Sequence, residues 1–103
     1  MRYVFHPQAL TEYSEAVQYY ADRRLELAQA FINAVEEAIY RIRESPTRWQ
    51  AIDEDIRRCL TRKFPYGILY TIEQDYILIL AIMHCSREPG YWKERVEQKP
   101  PDG

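Results

Sequence analysis

The sequence predicts an α+β domain: a first strand, a helical hairpin and a three-stranded antiparallel meander, with the hairpin on one face of a four-stranded sheet and a short helix at the end. Three observations predict it. Apolar residues recur at three- and four-residue spacing in two successive stretches before Ser45. Segments rich in β-branched and aromatic residues follow Ile56, separated by short polar breaks. The last of them, "YILILAIMH", is a continuous apolar run short enough for a central strand.

Each element has its own signal. "RYVF" is β-prone and ends at His6-Pro7, where proline suits the first position of a helix. Leu10, Tyr13, Ala16, Val17 and Tyr20 form the stripe of the first helix, with Glu12, Glu15 and Gln18 off it. After a break at "ADRR", Ala28, Phe31, Val35, Ala38 and Ile42 form the stripe of a second helix, broadened by Ile32 and Ile39. That helix stops at Ser45-Pro46, because a residue before proline avoids the helical region. "IRRCLTRKF", "YGILYTI" and "YILILAIMH" are the meander, and residues 73–76 turn the chain between the last two. Pro89 and Gly90 sit where a type II turn favours them, and "YWKERVEQ" makes the terminal helix.

A length of 103 residues fits one domain, expected over 1–97, with 98–103 a disordered tail. No apolar window is long enough to span a membrane, and "MRYVFHPQAL" has no continuous apolar run of the kind that marks export, so a cytoplasmic protein is expected. In that compartment Cys59 and Cys85 are expected as free thiols. No metal and no cofactor are expected: His84 and Cys85, adjacent on a strand, point to opposite faces. A net charge of −2 argues against indiscriminate nucleic-acid binding. The charge is unevenly spread: residues 8–44 carry four basic and seven acidic side chains, and residues 57–95 carry seven basic and four acidic ones. Such a molecule suits two different partners.

The candidate site lies in the positive part. Alternation along "IRRCLTRKF" puts Arg58, Leu60, Arg62 and Phe64 on one face and Arg57, Cys59, Thr61 and Lys63 on the other. As exposed strand charges, these cations would also serve to block aggregation. His84 ends the buried strand, Arg87 follows it, and Tyr91 and Trp92 are of the type that anchors a chain end. If the two basic segments converge on one side of the sheet, the arginines would bind phosphates. In metal-free RNA cleavage His84 or Tyr91 would move the proton, and Arg58, Arg62 or Arg87 would stabilise charge on the phosphate.

The order of strand, helical hairpin, basic strand, "FPYGILY", apolar strand and "MHCSREPGYWKER" resembles the RelE/ParE superfamily of toxins from bacterial type II toxin–antitoxin modules, over roughly residues 2–95. The resemblance implies a toxin that arrests growth when free and a cognate antitoxin that neutralises it. The antitoxin's own DNA-binding part, rather than this chain, would bind the operator. RelE-like members cut mRNA on the ribosome, and ParE-like members inhibit DNA gyrase. Ribonuclease members carry an arginine before the apolar residues of the third strand, where this chain has Gly67 in "GILY", and they are usually strongly basic. The resemblance therefore favours gyrase inhibition over ribosome-dependent cleavage, with an inactive antitoxin-binding relative as a further alternative. Cleavage would use Arg58, Arg62, His84, Arg87 and Tyr91. Binding to a target would use the terminal segment and the basic strand, with Arg57, Lys63, Trp92 and Arg95 as contacts.

Overall fold

A computed structural model describes residues 1–98. The chain runs β1 (Arg2–Phe5), α1 (Pro7–Ala21), α2 (Leu25–Glu44), β2 (Ala51–Asp53), β3 (Ile56–Leu60), β4 (Tyr66–Ile72), β5 (Tyr76–His84) and α3 (Glu94–Glu97). Pro7 opens α1 as expected, and the residue before it caps the helix: His6 Nδ1 accepts from the Gln8 N–H at 3.1 Å. The second helix ends at Glu44, one residue before the Ser45-Pro46 pair.

The sheet order is β1-β5-β4-β3-β2. β3, β4 and β5 form the expected antiparallel meander, and β1 lies parallel to β5 with Arg2 opposite Tyr76. The sheet has five strands rather than four. The extra one, β2, is a three-residue edge strand that pairs antiparallel with β3 through a tight turn at Glu54, which takes a φ of 48°.

One face of the sheet receives the helical hairpin. Phe31, Val35, Ala38, Ile39 and Ile42 from α2 meet Ile68, Tyr70, Ile77, Ile79 and Ile82. Phe31 is the hub: the rings of Tyr66, Tyr20 and Phe64 lie 4.8, 5.1 and 5.4 Å from its own. Burial of such a side chain stabilises by about 1.5–3 kcal/mol.

The C-terminal segment covers the opposite face. Leu69, Leu78, Leu80, Ala81 and Met83 pack with Ile56 beneath Trp92, flanked by Tyr91 and Val96. A bulge makes this possible. Leu69 pairs with Ala81 but Tyr70 with Ile79, so Leu80 is the extra residue and the alternation of β5 changes phase there.

Three further expectations need correction. Leu10 is 53% exposed, and Ala9 is the buried residue of that turn. Glu12 is drawn toward the C-terminal segment instead of lying on the solvent side. The basic strand stops at Leu60, so Arg62, Lys63 and Phe64 lie in the connection to β4 and do not continue its alternation. Thr61 ends the strand by bonding back across the loop, its hydroxyl donating to Phe64 O at 2.9 Å and its N–H to Tyr66 O at 2.9 Å. Of the expected tail, the part beyond Gln98 lies outside the described residues. Both cysteines are free, Cys59 buried and Cys85 exposed.

Candidate functional site

The residues singled out from the sequence fall into four places. The first is a clasp. Glu12 accepts two hydrogen bonds from the Arg95 guanidinium, at 2.9 and 2.8 Å, and one from the Tyr91 hydroxyl at 2.6 Å. Its Oε1 also accepts from the Ile82 N–H at 3.0 Å, and Arg95 donates to Leu80 O at 3.1 Å. β1 ends at Phe5, so beyond Ile79 the edge of β5 that faces away from β4 has no strand beside it, and the clasp satisfies its backbone there instead. Burial works against the charge of Arg95, but the hydrogen bonds and charge of Glu12 outweigh it and raise its pKa. Burial and the bond to Glu12 push the Tyr91 hydroxyl up as well, so it stays protonated. Arg95 and Tyr91 are thus tied within the fold. Trp92, 4% exposed, presents almost no surface to a partner.

The second place is a cleft of about 530 Å³ on the sheet face opposite the helices, lined by Arg58, Arg87 and Lys93 with Ile52, Asp53 and Met83. Lys93 and Asp53 form an exposed ion pair at 3.8 Å. Among the described residues the Arg58 guanidinium has no carboxylate partner. Arg87 rests on the Tyr91 ring, its guanidinium carbon 4.0 Å from the centroid.

His84 lies elsewhere. It pairs with Tyr66 at the end of β5, on the helix side, and its ring meets Tyr66 edge-on at 5.1 Å. Nδ1 accepts from the Ser86 N–H at 3.0 Å. The hollow around it is lined by Tyr19 and Tyr66 and shares Arg87, but not Arg58, with the cleft. The expected convergence is therefore only partial: Arg58 and Arg87 share a cleft, whereas His84 and Arg58 lie on opposite faces.

The fourth place is the β3–β4 tip. Arg62 reaches Glu37 of α2 at 3.6 Å in solvent, and Lys63 takes a φ of 70°, a left-handed conformation that costs a lysine energy. Arg57 is absorbed by the fold, donating to Trp49 O at 2.6 Å and Thr47 O at 3.2 Å. Glu12 and Lys93 were not singled out as site residues by sequence; no spacing pattern links a carboxylate on α1 to the C-terminal segment, and Lys93 lies just before α3.

The sequence matches the family described as the ParE toxin of the type II toxin–antitoxin system, parDE, over residues 3–89. The chain belongs to the ParE toxin family. It is a toxin of a type II module, and membership implies an antitoxin partner. A solved structure described as the chromosomal ParDE toxin–antitoxin system from P. aeruginosa shares the fold, with a TM-score of 0.71, 14% identity, and coverage of 82% of this chain and 95% of that one. No curated protein matches the sequence. Among the described residues of this ParE-family toxin, no helix is long and apolar enough to cross a membrane.

Proposed function

We propose that this toxin arrests growth by binding a protein target, DNA gyrase, and not by cutting RNA. The observation that carries this reading is the separation of His84 from Arg58 on opposite faces of the sheet, with the Tyr91 hydroxyl committed to Glu12 and Arg87, the cation that does line the His84 hollow, stacked on the Tyr91 ring. Proton transfer in phosphodiester cleavage needs a base within hydrogen-bond reach of the nucleophile and a cation at the same phosphate. The exposed Arg62–Lys63 tip and Arg87 would supply contacts to the target. Neutralisation by the antitoxin would cover this basic surface.

The test is expression of the chain from a tight inducible promoter, with RNA 5′-end mapping, alongside a supercoiling assay of gyrase with the purified protein. Intact messages and blocked supercoiling are expected. Ribosome-phased cuts would overturn the reading.

Ribosome-dependent cleavage is the second reading, and one observation favours it: the stem of Arg58 lies over Gly67, so a guanidinium from the neighbouring strand approaches the region where the ribonucleases carry theirs. Under that reading His84→Ala lowers cleavage by roughly 10²-fold.

A further inference from the structure

We propose that the Arg58 cleft is a binding site for a phosphomonoester of mononucleotide size, and that Gly67 is the positioning residue that lays Arg58 into it. Gly67 is buried in the interior of β4, where glycine weakens a strand, and its φ lies outside the left-handed region, so the backbone does not require it. Space requires it. A Cβ there would meet Arg58 Cγ at 3.2 Å and Cδ at 3.3 Å, closer than ordinary contact. The missing side chain is a lane for the arginine's stem, and the same Cβ would lie 3.5 Å from Leu60 Cδ2.

The same device recurs across the cleft. A Cβ on Gly90 would meet Lys93 Cε at 3.1 Å, although there a φ of 81° demands glycine as well. Two of the three glycines in the chain thus make room for cations that line one cleft.

The charge fits a dianion. Arg58, Arg87 and Lys93 face a single carboxylate, Asp53, a surplus of two positive charges that matches a phosphomonoester near neutral pH. Guanidinium forks bind phosphate oxygens in pairs. The volume of about 530 Å³ exceeds what one phosphate fills and lies in the range of small-molecule sites. Ile52 and Met83 give the organic part an apolar floor. A polynucleotide is disfavoured by the net charge of −2.

The experiment is calorimetric titration of the full chain with a nucleoside 5′-monophosphate, the same nucleoside without phosphate, inorganic phosphate and a short single-stranded oligonucleotide. The monophosphate is expected to bind more tightly than the nucleoside or inorganic phosphate. Arg58→Ala and Arg87→Ala, both at exposed positions, should each weaken it by about tenfold or more. Gly67→Ala should weaken it similarly in the wild-type background and have no further effect beside Arg58→Ala, a coupling that a general structural role would not produce. If Gly67→Ala fails to fold, Arg58→Lys, which keeps the charge but loses the fork, should still lose most of the affinity. Equal binding of nucleoside and monophosphate, or affinities unmoved by the Arg58 and Arg87 substitutions, would overturn the site. Tighter binding of the oligonucleotide would replace the mononucleotide ligand with a polyanion, and independent effects of Gly67→Ala and Arg58→Ala would remove the positioning role.

Discussion

Glu12 and Arg95, 83 residues apart in sequence, face each other through two hydrogen bonds of 2.9 and 2.8 Å at the edge of β5. The pair joins the first helix to the last, and both side chains are largely removed from solvent. A charge pair in such a place depends on both partners, because removing one leaves the other buried and unpaired.

Glu12→Gln should therefore destabilise the fold by about 3 kcal/mol, most of it the cost of stranding Arg95. Urea unfolding measures this. Hydrogen exchange should show the Ile82 amide, which donates to Glu12 Oε1, losing protection earlier than the centre of β4.

Stability should fall as pH drops below about 6.5 through His6. Its pKa is lowered, by burial first and then by the charge of Arg95. The unfolded chain therefore takes up a proton at a pH where the folded chain does not, which favours unfolding. Nδ1 is also the acceptor that caps α1, so protonation there removes the cap. His6→Asn keeps a capping oxygen and does not titrate. Denaturation at pH 7 and pH 5 should show a smaller loss for the variant than for the wild type, on top of the carboxylate effects common to both.

Alkaline stability should fall above about pH 10, where tyrosines of the unfolded chain ionise. Tyr70, fully buried with its hydroxyl donating to Pro46 O at 2.6 Å, is pushed up to about 12 by burial. The folded state keeps that proton and the unfolded state loses it, so rising pH favours unfolding. In an absorbance titration the Tyr70 phenolate should appear only with the unfolding transition, and Tyr70→Phe should flatten the fall in stability between pH 10 and pH 12.

Lys63→Gly should leave the protein as stable as before or more so, because glycine adopts a φ of 70° without strain. Lys63→Ile should cost about 1 kcal/mol or more, since a β-branched side chain resists that region. Thermal unfolding of both variants checks the stability order. The gyrase assay on Lys63→Gly then separates stability from contact: weaker inhibition at unchanged stability is expected if the lysine touches the target.

Much of the architecture was legible because a single periodicity governed it. The α2 stripe from Ala28 to Ile42 is buried as its spacing requires, and the apolar run of β5 lies inside the sheet between β1 and β4. Leu10 misled because Ala9, small and uninformative in a hydropathy pattern, fits the close approach of α1 to the sheet. β2 was missed because "AID" has too few β-prone residues, and only pairing with β3 makes it a strand. Of the site, the basic residues were legible as a group but their division was not. Thr61 ends β3 by a side-chain bond, and the bulge at Leu80 changes which residues face the C-terminal segment; neither event leaves a mark in one-dimensional alternation.

The parallel pairing of β1 with β5 also bears on how the molecule is made. Arg2 must wait for Tyr76 before its strand has a neighbour, and Glu12 must wait for Arg95. Contacts between such distant parts of a chain are slow to form. A product cut short after β4 would carry the finished helical hairpin with neither β5 nor the clasp. Completeness at the carboxyl end is thus a condition for the native sheet, and partial translation products of this toxin should be unfolded species, open to proteolysis rather than to partner binding.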